Sequence, residues 1–211
     1  MDREVIVTAA LELLDEAGLD GVTVRRLAAR LGVQNPALYW HFRSKRALLD
    51  EMAQALQSRQ DFGPPHEGEN WRQWFTRRGR ERREILLSHR DGARLVAGTR
   101  PGPELIVRFE AELGSLVEQG FTPTQALLAI GTLTRFVNGF VLEEQALHQR
   151  QIDTDGPGAE APPGASPIDA FKATPILAAA IRGSGDTDAS FEHGLRIVVD
   201  GIAGSLDEVK P

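Results

Sequence analysis

The chain has 211 residues, a net charge of −6, 41% hydrophobic residues and no cysteine. This composition predicts a globular protein with a substantial core, and it excludes disulfides and thiolate metal sites. Because no apolar run approaches the roughly 18 residues of a membrane span and the N-terminus lacks a signal-peptide pattern, we expect a cytoplasmic protein without a membrane contact.

The first three predicted helices form an N-terminal group. Apolar residues recur at three- to four-residue spacing over residues 5–17. A second helix begins after Thr23, a favourable N-cap residue, and ends at Gly32. A third begins at Asn35, which we expect as its N-cap, with Pro36 at the first helical position.

Seven further helical segments are predicted in the rest of the chain. A capping box of Thr122 and Gln125 marks the start of the longest one. The stretch 153–167 is rich in glycine, proline and acids, which predicts a mobile loop. The sequence therefore predicts an all-α fold, with a three-helix domain at residues 1–44 and a larger helical domain at 45–211. The seven segments are expected at about 44–61, 70–88, 91–96, 104–118, 122–149, 168–182 and 188–207.

The charge distribution is uneven along the chain. Residues 21–46 contain six cations and no Asp or Glu, whereas the acids concentrate elsewhere. A single basic cluster is often only a solvated helix face. An acid-free basic window that coincides with a pair of short helices favours nucleic-acid binding instead.

The second helix, the turn at 32–34 and the third helix form a helix–turn–helix pattern. In such a pair the N-terminal residues of the second helix meet base edges in the major groove, and here they are Asn35, Pro36 and Ala37. Asn can hydrogen-bond adenine, and an Ala methyl can touch a thymine methyl. The pattern alone also occurs as a hairpin in ordinary helical cores. The residues placed for phosphates are Tyr39, His41 and Lys45, and Arg25 is placed for a base or the backbone.

The stretch "ALELLDEAGLDGVTVRRLAARLGVQNPALYWHFRSKRALLD" resembles the DNA-binding domain of the tetracycline-repressor family. The resemblance continues in "LLSHRDGARLVAGTRP", "EQGF" and "GFVLEEQ". It implies an all-α homodimer that binds double-stranded DNA at a palindromic operator. It also implies an effector pocket in the larger domain, whose occupation spreads the two DNA-binding heads apart.

The resemblance carries DNA contacts over by position. Asn35 stands where the tetracycline repressor has Gln, and Ala37 where it has Thr, so the operator sequence is left open. For Trp40, packing against the first helix is an equal alternative. The contacts that the resemblance implies are Thr23, Arg25, Pro36, Tyr39, Trp40, His41 and Lys45.

The expected effector pocket departs from the pattern of the magnesium–tetracycline repressors. Val96 stands at the position of the direct metal ligand, a His, and Asp61 at that of a drug-binding His. Arg78, Arg82 and Glu112 replace an Asn, a Phe and a Gln. We therefore expect an effector other than magnesium–tetracycline, and no metal or cofactor. The positions that match the family are Thr99, Arg100, Pro101 and Glu143.

The arginines are also conspicuous without the resemblance, because the apolar stripe of the fifth helix passes through Arg78 and Arg82. A buried charge needs a partner. The partner is either a protein carboxylate (Asp61, Glu110 or Glu112) or an anionic or carbonyl-rich ligand, or a protein pair opens to admit a ligand. We expect an apolar organic effector in a cavity walled by Phe109, Leu113, Leu127, Ile130, Leu133 and Thr134.

Three functions compete at this point. The first is a ligand-released repressor, the second a DNA-binding regulator or activator without a small-molecule response, and the third a helical enzyme or binding protein with a vestigial head. The acid-free window opposes the third, and neither a nucleophile elbow nor a glycine-rich phosphate loop is present. The last helix, with the long helix, is expected to form a four-helix dimer bundle. Its predicted packing face consists of Leu195, Val198, Val199 and Ile202.

Overall fold

Ten α-helices, without a strand, make up the described part of the chain, which comprises residues 2–100, 102–155, 174–183 and 185–207 of a computed structural model. The all-α prediction is confirmed. In chain order the helices are α1 (Arg3–Gly21), α2 (Val24–Leu31), α3 (Asn35–Tyr39), α4 (Lys45–Gln57), α5 (Trp71–Leu87), α6 (Gly92–Ala97), α7 (Pro103–Glu118), α8 (Pro123–Asp155), α9 (Pro175–Gly183) and α10 (Thr187–Asp207).

The N-terminal head consists of α1 to α3, and α4 packs against α1. Thr23 caps α2 as predicted, since its Oγ1 accepts the Arg26 N–H at 3.3 Å. The predicted cap at Asn35 is wrong. Gln34 is the N-cap of α3, without a side-chain cap bond, and its carbonyl accepts the Ala37 N–H at 2.9 Å. Asn35 and Pro36 are therefore the first two helical residues, and the Asn35 side chain is not engaged as a cap.

The larger domain is built around α8, which packs against α5, α6, α7 and α10. The capping box at its start is confirmed, because Thr122 and Gln125 exchange hydrogen bonds of 2.8 and 3.2 Å. The helix runs to Asp155, so the predicted loop start at residue 153 is wrong. The rest of that predicted loop, and the first residues of the helix predicted at 168–182, lie outside the described residues.

The stretch Pro123–Gln151 of α8 is long and apolar enough to cross a membrane by length and composition. The expectation that no stretch reaches this length was therefore wrong. In this stretch the apolar residues are interrupted mostly by the uncharged residues Thr, Gly, Asn and Gln and by only a few charged residues. The inner face of the helix packs in the core of the domain, where Val137 and Val141 are fully buried.

The last helix packs by the face that the sequence predicted, but within its own chain. Leu195, Val199 and Ile202 are buried in the single chain, where α10 contacts α5 and α8, so the expectation that they form the dimer face is wrong. Ile197 of the same helix is exposed. An apolar stripe on a terminal helix predicts packing but not which chain it packs against.

Residues 88–91, the α5–α6 corner, connect the head to the larger domain. The Asp91 carboxylate accepts the Leu19 N–H at 2.7 Å, and the Asp15 carboxylate accepts the Arg90 N–H at 2.9 Å. On the other side, the Gln145 amide of α8 donates to the carbonyl of His89 at 2.9 Å and to that of Leu86 at 3.1 Å. The head is therefore tied to the corner, and the corner to α8.

Gly92, at the start of α6, is required by the close approach of α6 to the end of α5. A Cβ at this position would lie 2.2 Å from the carbonyl oxygen of Leu86. We predict that Gly92→Ala lowers the free energy of unfolding by about 1–3 kcal/mol, because a backbone atom cannot move aside cheaply.

Gly114→Ala is the matched control. A Cβ there meets no atom within 4 Å, and Gly114 lies inside α7. This variant is expected to gain roughly 0.5–1 kcal/mol from helix propensity. Urea unfolding measures both variants, and a Gly92→Ala protein as stable as the Gly114→Ala protein would contradict the packing described here.

Candidate DNA-binding surface and effector site

The head presents the predicted recognition residues to solvent. Asn35 and Pro36 are exposed at the start of α3, Ala37 is half-buried, and Tyr39 is 54% exposed. Trp40 is 89% exposed, so the alternative that it packs against α1 is wrong. Because α3 ends at Tyr39, the Trp40 side chain projects from the end of the helix instead of continuing its buried face.

Two buried side chains, Leu38 and Phe42, fix α3 on the head, which leaves the residues between them free to face outward. The next helix begins at Lys45, and the Ser44 hydroxyl caps it by accepting the Ala47 N–H at 3.1 Å. Lys45 is therefore exposed at a helix N-terminus, a position that attracts phosphate. His41, predicted for the same purpose, is half-buried.

The cations of the acid-free window divide into two groups. Arg30 is neutralised by Glu12 and Glu16 of α1, at 2.9 and 2.7 Å, and Arg46 lies 3.5 Å from Asp50. The remaining four have no carboxylate within 4.0 Å among the described residues, and all four are exposed. They are Arg25, Arg26, Arg43 and Lys45. Their positive charge is thus available to an external polyanion.

In the larger domain, Arg78 and Arg82 lie in the core, as the stripe of α5 predicts. They are 5% and 8% exposed, and Glu112 of α7 is fully buried. Arg78 forms an ion pair with Glu112. Arg82 donates to Oδ1 of Asn138 at 2.9 Å and to Oε1 of Gln60 at 3.3 Å. These five side chains are referred to below as the buried polar cluster.

Burial shapes the charges of this cluster. It raises the pKa of Glu112 to about 7, although Arg78 acts in the opposite direction. Burial and the neighbouring charge of Arg78 lower the pKa of Arg82 to about 10. Burial also lowers the pKa of Arg78. The cluster therefore lies in a medium where an unpaired charge is costly.

Of the three carboxylates considered as partners, only Glu112 reaches the buried arginines. Asp61 instead lies 3.1 Å from Arg77 and 3.2 Å from His66 near the surface. Although burial raises it, the pKa of Asp61 is lowered by the Gly63 N–H, His66 and Arg77. Glu110 is exposed on α7.

The other predicted effector residues differ widely in burial. Val96 is buried on α6, and Thr99 is half-buried, with its hydroxyl donating to the Val96 carbonyl at 3.0 Å. Arg100 and Glu143 are exposed. Pro101 lies outside the described residues. Of the predicted cavity walls, Ile130 and Leu133 are buried, Phe109, Leu113 and Thr134 are half-buried, and Leu127 is half exposed.

Two sizeable hollows lie elsewhere on the molecule. One, of about 860 Å³, is an open groove between α5 and α10 that Arg72, Arg80 and Glu192 help to line. The other, of about 660 Å³, lies beside the α5–α6 corner and α8. Neither is lined by Arg78, Arg82 or the predicted cavity walls. Neither of these two hollows therefore lies at the predicted effector site, whose residues Arg78, Arg82, Ile130 and Leu133 are buried.

Sequence reasoning missed the two amides of the buried polar cluster. Asn138 lies beside Val137, on the inner side of α8, and Gln60 follows the last turn of α4 and is 3% exposed. A polar residue next to an apolar stripe is the signal that marks Asn138. Gln60 lies four residues after Leu56 and so continues the inner stripe of the helix predicted at 44–61, although the observed helix ends at Gln57. Among the described residues, no group of three or more His, Asp or Glu side chains could hold a metal ion.

The chain matches two family profiles. Residues 6–52 match the profile described as "Bacterial regulatory proteins, tetR family", and residues 64–206 match "Tetracyclin repressor-like, C-terminal domain". It is 44% identical over 206 residues to the class A tetracycline repressor from transposon 1721 of Escherichia coli, covering 96% of this chain and 91% of that one.

Solved structures of similar proteins cover the chain almost fully. TetR from Acinetobacter baumannii AYE is 37% identical, with a TM-score of 0.75, over 96% of this chain and 97% of that one. TetR (class A) in complex with 5a,6-anhydrotetracycline and magnesium is 40% identical, with a TM-score of 0.72, over 95% and 96% of the two chains.

The raised pKa of Glu112 predicts a specific pH dependence of stability. Because the folded protein binds this proton more tightly than the unfolded chain does, the contribution of Glu112 is most favourable at low pH. It is lost as the pH rises from about 4.5 through about 7. The full effect is of the order of 3 kcal/mol, from the value of about 1.4 kcal/mol per pKa unit.

Glu112→Gln removes the titrating group. We predict that the wild type loses unfolding free energy relative to this variant as the pH rises from 5 to 8. Titrating groups that both proteins share contribute equally to the two free energies and cancel in the difference. Urea unfolding at several pH values measures it, and a difference independent of pH would show that Glu112 keeps an ordinary carboxyl pKa.

Proposed function

Because the chain belongs to the tetracycline-repressor family of bacterial transcriptional regulators, we propose that it is a homodimeric repressor that a small molecule releases from a palindromic DNA operator. The family fixes the broader role, which is that of a ligand-binding, DNA-binding transcriptional repressor and not an enzyme. The observation that carries the finer proposal is the surface around α2 and α3, where Arg25, Arg26, Arg43 and Lys45 are exposed with no carboxylate within 4.0 Å among the described residues. The proposal includes a cytoplasmic location, which a DNA-bound role requires in a bacterium.

In this proposal α3 enters the major groove by its N-terminus. Asn35 and Ala37 meet base edges beside Pro36, while Lys45 at the start of α4 holds a phosphate. Thr23, Arg25, Tyr39, Trp40 and His41 contribute further contacts to the DNA backbone or bases. The exposure of Trp40 supports its place in this set. The division into a DNA-binding domain (1–44) and a ligand-binding and dimerisation domain (45–211) follows from the same proposal.

The dimer is proposed to form through the outer faces of α8 and α10. On α8, Leu128 and Leu142 are exposed, and a Cβ at Gly139 would meet no atom within 4 Å. On α10, Ile197 is exposed and Gly201 is equally open. Exposed apolar residues interspersed with glycines let two helices approach closely, which is the packing that a four-helix bundle needs.

The effector is proposed to be an apolar organic molecule with at least one anionic or carbonyl group. It binds at the buried polar cluster, among the predicted walls on α7 and α8, and Thr99, Arg100 and Pro101 respond to its presence. Because Arg78, Arg82 and Glu112 are buried, binding requires an arrangement of the domain that admits the effector to them. Release from DNA then needs only that the effector binds the spread-head state more tightly than the DNA-bound state.

A second candidate function is a DNA-binding regulator, repressor or activator, without a small-molecule response. The position of the two sizeable hollows supports it, since neither is lined by Arg78, Arg82 or the predicted cavity walls. Operator binding that no candidate effector changes is the result that this second function predicts.

The DNA-binding proposal predicts different effects for Asn35 and Lys45, two residues of the proposed DNA-binding surface. Binding is measured on a DNA duplex selected from a random pool. Lys45→Ala should weaken binding to all sequences alike and reduce the salt dependence, because a phosphate contact carries no sequence information. Asn35→Ala should cost about 1–3 kcal/mol at one base position in each half-site. Half-sites should lie one turn of DNA, about 34–36 Å, apart.

Arg72→Ala is the control for this experiment, because Arg72 is exposed at the start of α5, outside the head and away from the α5–α6 corner. It should bind the selected duplex as the wild type does. Undiminished binding by the Lys45→Ala, Asn35→Ala double variant, or a monomeric protein at the assay concentration, would refute the docking proposed here.

We also predict that magnesium does not promote the binding of tetracycline to this protein. The apolar Val96 stands at the metal-ligand position of the tetracycline repressors, and Glu143 alone is too few ligands for a cation. Titration calorimetry with anhydrotetracycline, with and without Mg²⁺, tests this, and the class A repressor serves as the positive control. Tight binding that depends on Mg²⁺ would show that the site has been misassigned.

A further inference from the structure

Arg82 is a buried cation without a carboxylate partner among the described residues. It is 8% exposed, and its two hydrogen bonds go to the neutral amides of Asn138 and Gln60. A guanidinium has five N–H groups. Three of those of Arg82 are therefore without an acceptor in the described part of the chain. Such a group is costly to bury unless something else completes its surroundings.

Arg78, one turn earlier on α5, is in the opposite situation. It forms an ion pair with Glu112. Its guanidinium also lies over the ring of Phe62, with 5.3 Å from Cζ to the ring centroid, and 5.7 Å from that of Trp74. The single carboxylate of the buried polar cluster is thus engaged by Arg78, and the cluster retains one uncompensated positive charge at Arg82.

The carboxylates nearby do not remove this charge. Asp61 is held by Arg77 and His66, and Glu110 is exposed. Glu81 uses one oxygen to accept the Asp61 N–H at 2.7 Å and forms no ion pair with Arg82. Burial and the like charge of Arg78 both act against the Arg82 cation, and only Glu112 favours it.

Four buried side-chain atoms have no hydrogen-bond partner in the described part of the chain, namely the indole N–H of Trp74, Nε2 of His89 and one carboxylate oxygen each of Glu81 and Glu112. Two of them lie at the buried polar cluster. They are the N–H of Trp74, which shares the inner face of α5 with Arg78 and Arg82, and the Glu112 oxygen, so one is a donor and the other an acceptor. Native proteins leave few such atoms unpaired, and a missing ligand is one of the ordinary reasons.

We propose that Arg82 anchors an anionic group of the effector, a carboxylate or comparably acidic hydroxyl on an aromatic body, while Arg78 stays paired with Glu112 as a structural residue. The assignment rests on the proposed function, because it gives the effector its chemistry. An anion fits better than a neutral carbonyl for two reasons. It neutralises the buried charge, and it accepts charge-assisted hydrogen bonds from the unused N–H groups.

The test compares aromatic acids with their carboxamides, which match them in shape but lack the charge. The probes are benzoate, 1-naphthoate and 9-anthracenecarboxylate with their three amides. Thermal shift and titration calorimetry are run on the full-length dimer. We expect at least one acid of the series to bind about tenfold or more tightly than its amide, the range for hydrogen bonds to a charged group.

Variants show which of the two buried arginines is responsible for the preference for an acid over its amide. Arg82→Gln should abolish it, whereas Arg82→Lys, which keeps the charge, should retain part of it. Arg78→Gln should melt at a lower temperature but still prefer the acid. Arg80→Gln is the matched control on the outer face of α5, where Arg80 pairs with Glu192 at 2.7 Å, and it should bind as the wild type does.

Two outcomes overturn the proposal. One is a wild-type protein that no acid of the series stabilises more than its amide does. The other is an acid preference that survives in Arg82→Gln. Should Arg82→Gln fail to fold, Arg78→Gln decides, because an acid preference that is retained in that variant supports Arg82 as the anchor and one that is lost overturns the proposal. Failure of the proposed function is visible separately, as loss of operator binding or as acid binding that leaves the operator complex intact.

Discussion

The hydrogen bonds at the α5–α6 corner tie the DNA-binding head to the larger domain. On one side of the corner, the Asp91 carboxylate accepts the Leu19 N–H of the head, and the Asp15 carboxylate of the head accepts the Arg90 N–H of the corner. On the other side, the Gln145 amide of α8 bonds the carbonyls of Leu86 and His89. Because the hydrogen bonds to the head and those to α8 meet at this four-residue corner, we expect that movement of α8 or α5 relative to the corner moves the head.

The same two helices carry three of the five side chains of the buried polar cluster, namely Arg78 and Arg82 on α5 and Asn138 on α8. Arg82 of α5 is bonded to Asn138 of α8, and Gln145 lies seven residues, or about two helical turns, further along α8. A ligand that draws Arg82 away from Asn138 therefore acts on the helix pair that holds the corner. This is a contiguous route of named hydrogen bonds from the core to the head, of the kind that can couple two sites.

Most of the fold could be predicted from the sequence, because apolar spacing and capping residues are local signals. The bounds of α5, the capping box of α8 and the inward direction of Arg78 and Arg82 follow from them. The failures were non-local. The partners of α10 and the engagement of Asp61 by Arg77 depend on which elements meet in space. Gln60 continues the spacing of Leu48, Met52 and Leu56, but its bond to Arg82 depends on the packing of α4 against α5, which local spacing does not report.

Local signals also failed where two of them competed. Asn35 is a favourable N-cap residue, yet Gln34 takes that position and leaves the Asn35 side chain exposed. The position of Trp40 after Leu38 and Tyr39 would also suit the buried face of a longer helix, but the short α3 ends before Trp40. Both departures lie on the surface that we assign to DNA, where recognition rather than stability governs the choice of residue.

Head-to-head distances in the dimer test the role of the corner most directly. The chain has no cysteine, so Ala29→Cys, at an exposed position on α2, gives one spin label in each head. Double electron–electron resonance should give a narrow distance distribution for this protein. Adding Gln145→Met keeps the side-chain length but removes the hydrogen bonds of the Gln145 amide to Leu86 and His89, and it should broaden the distance distribution. An equally narrow, unshifted distribution in both proteins would contradict the account.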